Sequence, residues 1–181
     1  AAFTAEDARR YLKAYENALK VVGSRAGSGG ADGIFGKPSI SVKLSALHPR
    51  YEEKQEARTM AELLPRVVEL ARQVRALDVG LTVDAEEVNR LDLSLELFGR
   101  LAHEPSLKGW NGLGLAVQAY GKRAKPVLQW LADLASQTGR KLPVRLVKGA
   151  YWDTEVKRAQ EAGLEGYSLF TRKVSTDLSY L

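Results

Sequence analysis

Four short runs of β-branched and aliphatic residues, each leading into a longer amphipathic stretch, constrain this chain more than any other feature. "SISVKLSAL" precedes a helix expected over about residues 55–77, and "GLTVDAEE" one over 88–103. "GLGLAVQAY" precedes a helix over 123–137, and "LPVRLVKGAYW" one over 154–162, with a last helical stretch beginning in "YSLFTRKVSTDLSYL". Strands that alternate with helices form parallel units joined by right-handed crossovers. Ahead of them, "FTAEDARRYLKAYENALKVVG" reads as a helix opened by a Thr4/Asp7 capping box and closed by Gly23. "GSRAGSGGADGIFGKP" lacks the Gly-Lys-Ser/Thr ending of a phosphate loop and reads as a flexible connector.

The strand faces narrow the architecture, because successive strand residues point to opposite sides. One face is aliphatic: Ile40, Val42 and Leu44; Leu81 and Val83; Leu113, Leu115 and Val117; Val144 and Leu146. The other is small or polar: Ser41, Lys43 and Ser45; Thr82 and Asp84; Gly114, Ala116 and Gln118; Arg145 and Val147. A doubly wound sheet is covered by helices on both faces and needs both to be apolar. A (β/α)8 TIM-type barrel has helices outside only, and it gathers functional groups at the C-terminal ends of its strands. The asymmetry predicts the barrel. It also makes Arg145, in a strand that otherwise reads as buried, an inward-facing site residue near the Asp84 carboxylate. Four strands are about half of such a barrel. The chain opens on Ala1 without a methionine, so a piece of a longer protein is expected.

With 45% apolar and 27% charged residues, the composition is that of an ordinary globular domain, and no apolar run approaches the roughly 20 residues of a membrane span. The absence of cysteine removes disulfides, thiol nucleophiles and cysteine-bound metal, and fits a reducing cytoplasm. The net charge of +5 is spread among acids with no aromatic-interleaved basic patch, so no nucleic-acid contact is expected through this segment. An anionic small molecule accounts for the surplus equally well. His48 and His103 lack the spacing of a metal pair and read as structural, "DAEE" is not read as a magnesium site, and no metal is expected.

At these residues the chain resembles the proline dehydrogenase domain of bacterial proline utilization A flavoenzymes. The likeness rests on "SISVKLSALHPRYE", "LTVDAEEVNRLDLSLELF", "WNGLGLAVQAYGKRA" and "LPVRLVKGAYWDTEVKRAQEAGLEGYSLFTRKVSTDLSYL", and it runs nearly end to end. It implies a (β/α)8 barrel that binds FAD and oxidises L-proline to Δ1-pyrroline-5-carboxylate, passing electrons to a quinone. Carried over by residue, it implies that Arg145 lies against the reactive edge of the flavin and that Asp84 is an active-site carboxylate. Lys43 would meet the substrate carboxylate and Gln118 the flavin ring. Val147, Lys148, Gly149 and Ala150 would contact FAD at the strand end, with Ala85 a lesser contact. Tyr151, on the substrate side, and Trp152, on the cofactor side, would wall the site, and Thr171, Lys173 and Thr176 would lie near the adenosine end. The family's first strand, ending in a Met-Leu-Gly-Glu-like motif, is expected just before Ala1. Its last three strands, and the paired arginines that clamp the proline carboxylate, are expected after Leu181. Residues 1–181 alone are therefore expected to be inactive. The resemblance further implies a fused pyrroline-5-carboxylate dehydrogenase module, homo-oligomerisation, and a cytoplasmic location with peripheral association at the inner membrane face. Taken without it, the residues leave two other readings open: a barrel aldolase or lyase with Lys43 or Lys148 as Schiff base, and a non-catalytic barrel fragment.

Overall fold

The computed structural model describes residues 1–25 and 33–181. Most of the glycine-rich connector (26–32) lies outside the described residues. Strands β1 (Ser39–Val42), β2 (Gly80–Val83), β3 (Leu113–Gln118) and β4 (Val144–Val147) form one parallel sheet in the order β1-β2-β3-β4. Sequential order without a reversal is the order of a barrel wall, because a doubly wound sheet changes direction at a switch point. Helices α1 (Ala5–Arg25), α2 (Leu44–Leu47), α3 (Glu56–Ala76), α4 (Leu91–His103), α5 (Ala124–Thr138), α6 (Trp152–Glu161) and α7 (Lys173–Tyr180) complete the element list, with short 3-10 turns between them.

The aliphatic face determines where the helices pack. Val42, Leu81, Val83, Leu113, Leu115 and Val117 are buried under Leu63, Val67, Leu70 and Val74 of α3, Leu97 and Leu101 of α4, and Leu131 of α5. Each fully buried leucine contributes about 2 kcal/mol, so exchanging the two faces would forfeit most of this core. The expectation fails at β4, which did not turn out to be a buried strand. Val144 and Arg145 are exposed and Leu146 only half-buried, because β4 is an edge strand of the described sheet.

Two boundaries also move. The sequence extends the first strand through Ser45, but β1 stops at Val42, Lys43 stands at the entrance to α2, and Ser45 is buried within it. Gly23 does not close α1, which runs on to Arg25. A Cβ at Gly23 would lie 2.8 Å from a Leu77 methyl, so close packing against the end of α3 explains this glycine. The capping box at the helix start is present: Asp7 N donates to Thr4 Oγ1 at 3.0 Å, and Thr4 N to Asp7 Oδ2 at 3.2 Å.

Candidate active site

Parallel register brings four separated residues into one row. Ala116 of β3 pairs with Arg145 of β4, Val83 pairs with Leu115, and Val42 pairs with Val83. One residue further on, Asp84 N donates to Val42 O at 2.9 Å, so Lys43, Asp84, Ala116 and Arg145 stand level across the sheet. All four side chains fall on the face away from the helices. Arg145 reaches over β3 to form an ion pair with Asp84, two strands away. Between the two in the row stands Ala116, whose side chain is a single methyl. The Asp84 side chain is 17% exposed and that of Arg145 49%. Asp84 is thus largely fixed, while the guanidinium keeps most of its five N–H donors accessible.

Two residues further along, Gln118 spans two backbone segments. Its Nε2 donates to Glu86 O at 2.9 Å, and its Oε1 accepts from Ala150 N at 3.0 Å. The amide therefore joins the loop after β2 to the loop after β4. Lys43 is exposed, and its own backbone N–H donates to the Tyr15 hydroxyl at 3.2 Å. These side chains, with Ala85, Val147, Lys148, Gly149 and Tyr151, border a recess of about 280 Å³. Burial, with Glu86 and Glu87 near, raises the pKa of the Tyr151 phenol and favours its neutral form.

A second recess of about 310 Å³ adjoins the first through Lys148 and Gly149 and is bordered by Trp152, Thr171, Lys173 and Thr176. It exists because residues 168–170 run back along 120–122. Lys122 N donates to Ser168 O at 2.9 Å, and Phe170 N to Tyr120 O at 2.7 Å. Trp152, which opens α6 instead of ending the strand, donates from Nε1 to Phe170 O at 3.1 Å. Lys148 Nζ and Lys173 Nζ hold the two oxygens of Asp177 at 2.5 and 2.6 Å. Gly149 has φ +140, and a Cβ there would sit 2.4 Å from the Tyr120 ring, so only glycine lets the chain lie flat on that ring. The sequence-predicted site residues thus divide between two adjoining recesses. Tyr120, Ala116 and Asp177 also border these recesses, and Glu86 holds Gln118 from outside them. The smallness of Ala116 and its place on the polar face were visible in the sequence; the other three left no local signal.

His48 is buried, with Nε2 3.1 Å from Glu62 Oε2 and Nδ1 accepting from Arg50 N at 3.2 Å; His103 Nδ1 meets Gly99 O at 2.9 Å. Both serve local structure. Among the described residues no cluster of acids and histidines could hold a metal, and no helix is long and apolar enough to cross a membrane.

A family model described as proline dehydrogenase matches residues 1–181. The bifunctional protein PutA of Salmonella typhimurium is 54% identical over 181 residues, which are all of this chain and 14% of that protein. A crystal structure of a Bradyrhizobium japonicum proline utilization A variant superimposes with a TM-score of 0.95 at 55% identity, over 99% of this chain and 18% of that one. Proline utilization A from Bdellovibrio bacteriovorus, solved after inactivation by N-propargylglycine, does so with a TM-score of 0.89 at 26% identity, over 99% of this chain and 20% of that one.

Proposed function

The chain belongs to the proline dehydrogenase family, and from that premise we propose that it supplies part of the barrel of an FAD-dependent enzyme oxidising L-proline to Δ1-pyrroline-5-carboxylate. The observation that carries this reading is the row of Lys43, Asp84 and Arg145 across the sheet, with Arg145 half exposed and paired to Asp84. Family membership alone would leave open whether this segment takes part in the chemistry.

The residues fit the cofactor. FAD is long, flat at one end and doubly charged at its diphosphate. Here Lys148 and Lys173 flank the second recess, and Gly149 removes the side chain that would keep a flat ligand off the strand end. When bound, the flavin supplies the two-electron acceptor. Arg145 presents a fixed positive charge that stabilises negative charge gathering during hydride transfer, and its planar fork suits this better than a lysine. Asp84 holds that guanidinium and offsets its charge before substrate arrives. Lys43 offers a point charge to the substrate carboxylate. Gln118 holds the loops after β2 and β4 at a fixed separation, and this sets the width of the first recess.

The chain spans 14% of its Salmonella relative, a protein described as bifunctional. The rest of the proposal therefore concerns the longer protein. Elsewhere in it lie the remaining barrel strands with the main carboxylate clamp, and a pyrroline-5-carboxylate dehydrogenase module. That protein passes electrons to a quinone, forms a homo-oligomer, and works in the cytoplasm with peripheral contact at the inner membrane face.

The test is an absorption spectrum of the full-length protein under anaerobic conditions. A flavin spectrum that bleaches on addition of proline is expected. Protein without flavin, or flavin that proline leaves oxidised, would overturn the reading.

A further inference from the structure

The loop after β2 is tied down from three sides. Ser45 N donates to Glu86 Oε1 at 3.0 Å, Gln118 Nε2 to Glu86 O at 2.9 Å, and Val88 N to Glu155 Oε1 at 2.8 Å. The first tie comes from α2, just after β1, and the second from the end of β3. The third comes from α6, which follows β4, and nothing in the proposed chemistry uses Glu155. This acid is only 6% exposed, and its nearest cation, Arg158, stands 3.8 Å away. Arg158 donates instead to Asn89 Oδ1 at 2.7 Å, on the same loop. A buried carboxylate is costly unless hydrogen bonds compensate it. The bond it makes is to an amide at the start of the Val88–Arg90 turn, a position with no partner inside the turn itself.

We infer that Glu155 is a positioning residue for the reaction, acting from α6 through the 84–88 loop on the placement of Asp84. The inference rests on the reading of the site given above. The helix that carries Glu155 begins at Trp152, directly after Lys148–Tyr151. One element therefore both walls the recesses and reaches back to the loop whose carboxylate holds Arg145. The exits of β2 and β4 then hold one fixed separation, and Arg145 is oriented from both.

The experiment uses the full-length protein and the variants Glu155→Ala, Glu155→Gln, Val88→Pro and Asp84→Ala, with hydrogen exchange of residues 84–90 and the rate of proline-driven flavin bleaching as readouts. Glu155→Ala should raise exchange across 84–90 and slow bleaching about tenfold, whereas Glu155→Gln, which keeps an acceptor oxygen, should stay within about twofold of the parent. Val88→Pro removes the same hydrogen bond from its donor side. Val88 opens the turn, where proline is tolerated, so this variant should reproduce Glu155→Ala and tests the idea even if that protein fails to fold. In an Asp84→Ala background, Glu155→Ala should slow bleaching no further. Unchanged exchange at 84–90, or an equal slowing with and without Asp84, would overturn the inference. A parent that exchanges as described but does not bleach with proline would overturn the proposed function instead.

Discussion

Arg140 and Arg145 stand on either side of the start of β4, and the fold treats them in opposite ways. Arg140 is 8% exposed and, among the described residues, meets no carboxylate. Its guanidinium donates to four carbonyls, those of Ala102 at 2.7 Å, Leu107 at 2.5 Å, Trp110 at 3.2 Å and Glu104 at 3.2 Å. These lie at the C-terminal end of α4 and the turn that follows, where helix carbonyls lack partners and carry partial negative charge. Burial, with Arg75 nearby, pushes its pKa down from the usual arginine value. Arg145 is half exposed, pairs among the described residues with one carboxylate, and stands beside the small Ala116 in the register. The difference is one of unused valence. Arg140 has its guanidinium committed to the backbone and fixes structure. Arg145 is held at one corner and can still answer a ligand.

The largest expected effect tests the structural half of this comparison. Arg140→Ala takes a donor from four carbonyls; those of Leu107 and Glu104 keep Trp110 N and Leu107 N as partners, while those of Ala102 and Trp110 must find new ones, and each unsatisfied group costs about 1–3 kcal/mol. A loss of at least about 3 kcal/mol is expected in urea unfolding of the full-length protein, with Arg140→Lys recovering only part of it. An unchanged midpoint would break the comparison.

Gly149→Ala comes next. The substitution is strained by φ +140 and by the Tyr120 ring, at a cost of about 1–3 kcal/mol. The protein should still fold, with a lower ratio of bound flavin to protein after purification. Full flavin content would show that the strand end does not need its flat approach to Tyr120.

The smallest effect is on α7. Hydrogen bonds from Lys148 and Lys173 hold the Asp177 carboxyl below the usual carboxylate range. A depressed folded pKa stabilises the docked helix above the unfolded value of about 4 and is lost as pH falls through the lowered one. Hydrogen exchange of residues 173–180 should therefore be flat, after correction for intrinsic rates, from pH 8 to about 5 and rise only in more acid solution. A rise near neutrality would mean that another group holds this segment.

What the sequence revealed follows from periodicity. The two-residue repeat of a strand separates Ile40, Leu81 and Leu113 from Ser41, Thr82 and Gly114 without any knowledge of pairing. Parallel register then sets Asp84 and Arg145 level, so their meeting was legible. Arg140 was not. It lies in "TGRKLP", between α5 and β4, and its partners are carbonyls 30 or more residues earlier. Tyr120 under Gly149, and Glu155 under Val88, are likewise contacts between distant segments with no local pattern. Lys43 was placed on the right row but on a strand that ends one residue before it, because nothing local marks where β1 gives way to α2.

Under the proposed function, Arg145 serves chemistry and not the fold. The direct measurement is single-turnover, anaerobic flavin reduction by saturating proline in full-length Arg145→Met, taken with its urea midpoint. The expected result is reduction slowed about 100-fold, matching about 3 kcal/mol of lost charge stabilisation. The unfolding free energy from that urea curve should stay within about 1 kcal/mol of the parent, as for a half-exposed pair. Reduction at the parent rate, or a protein that unfolds as readily as Arg140→Ala, would contradict the account.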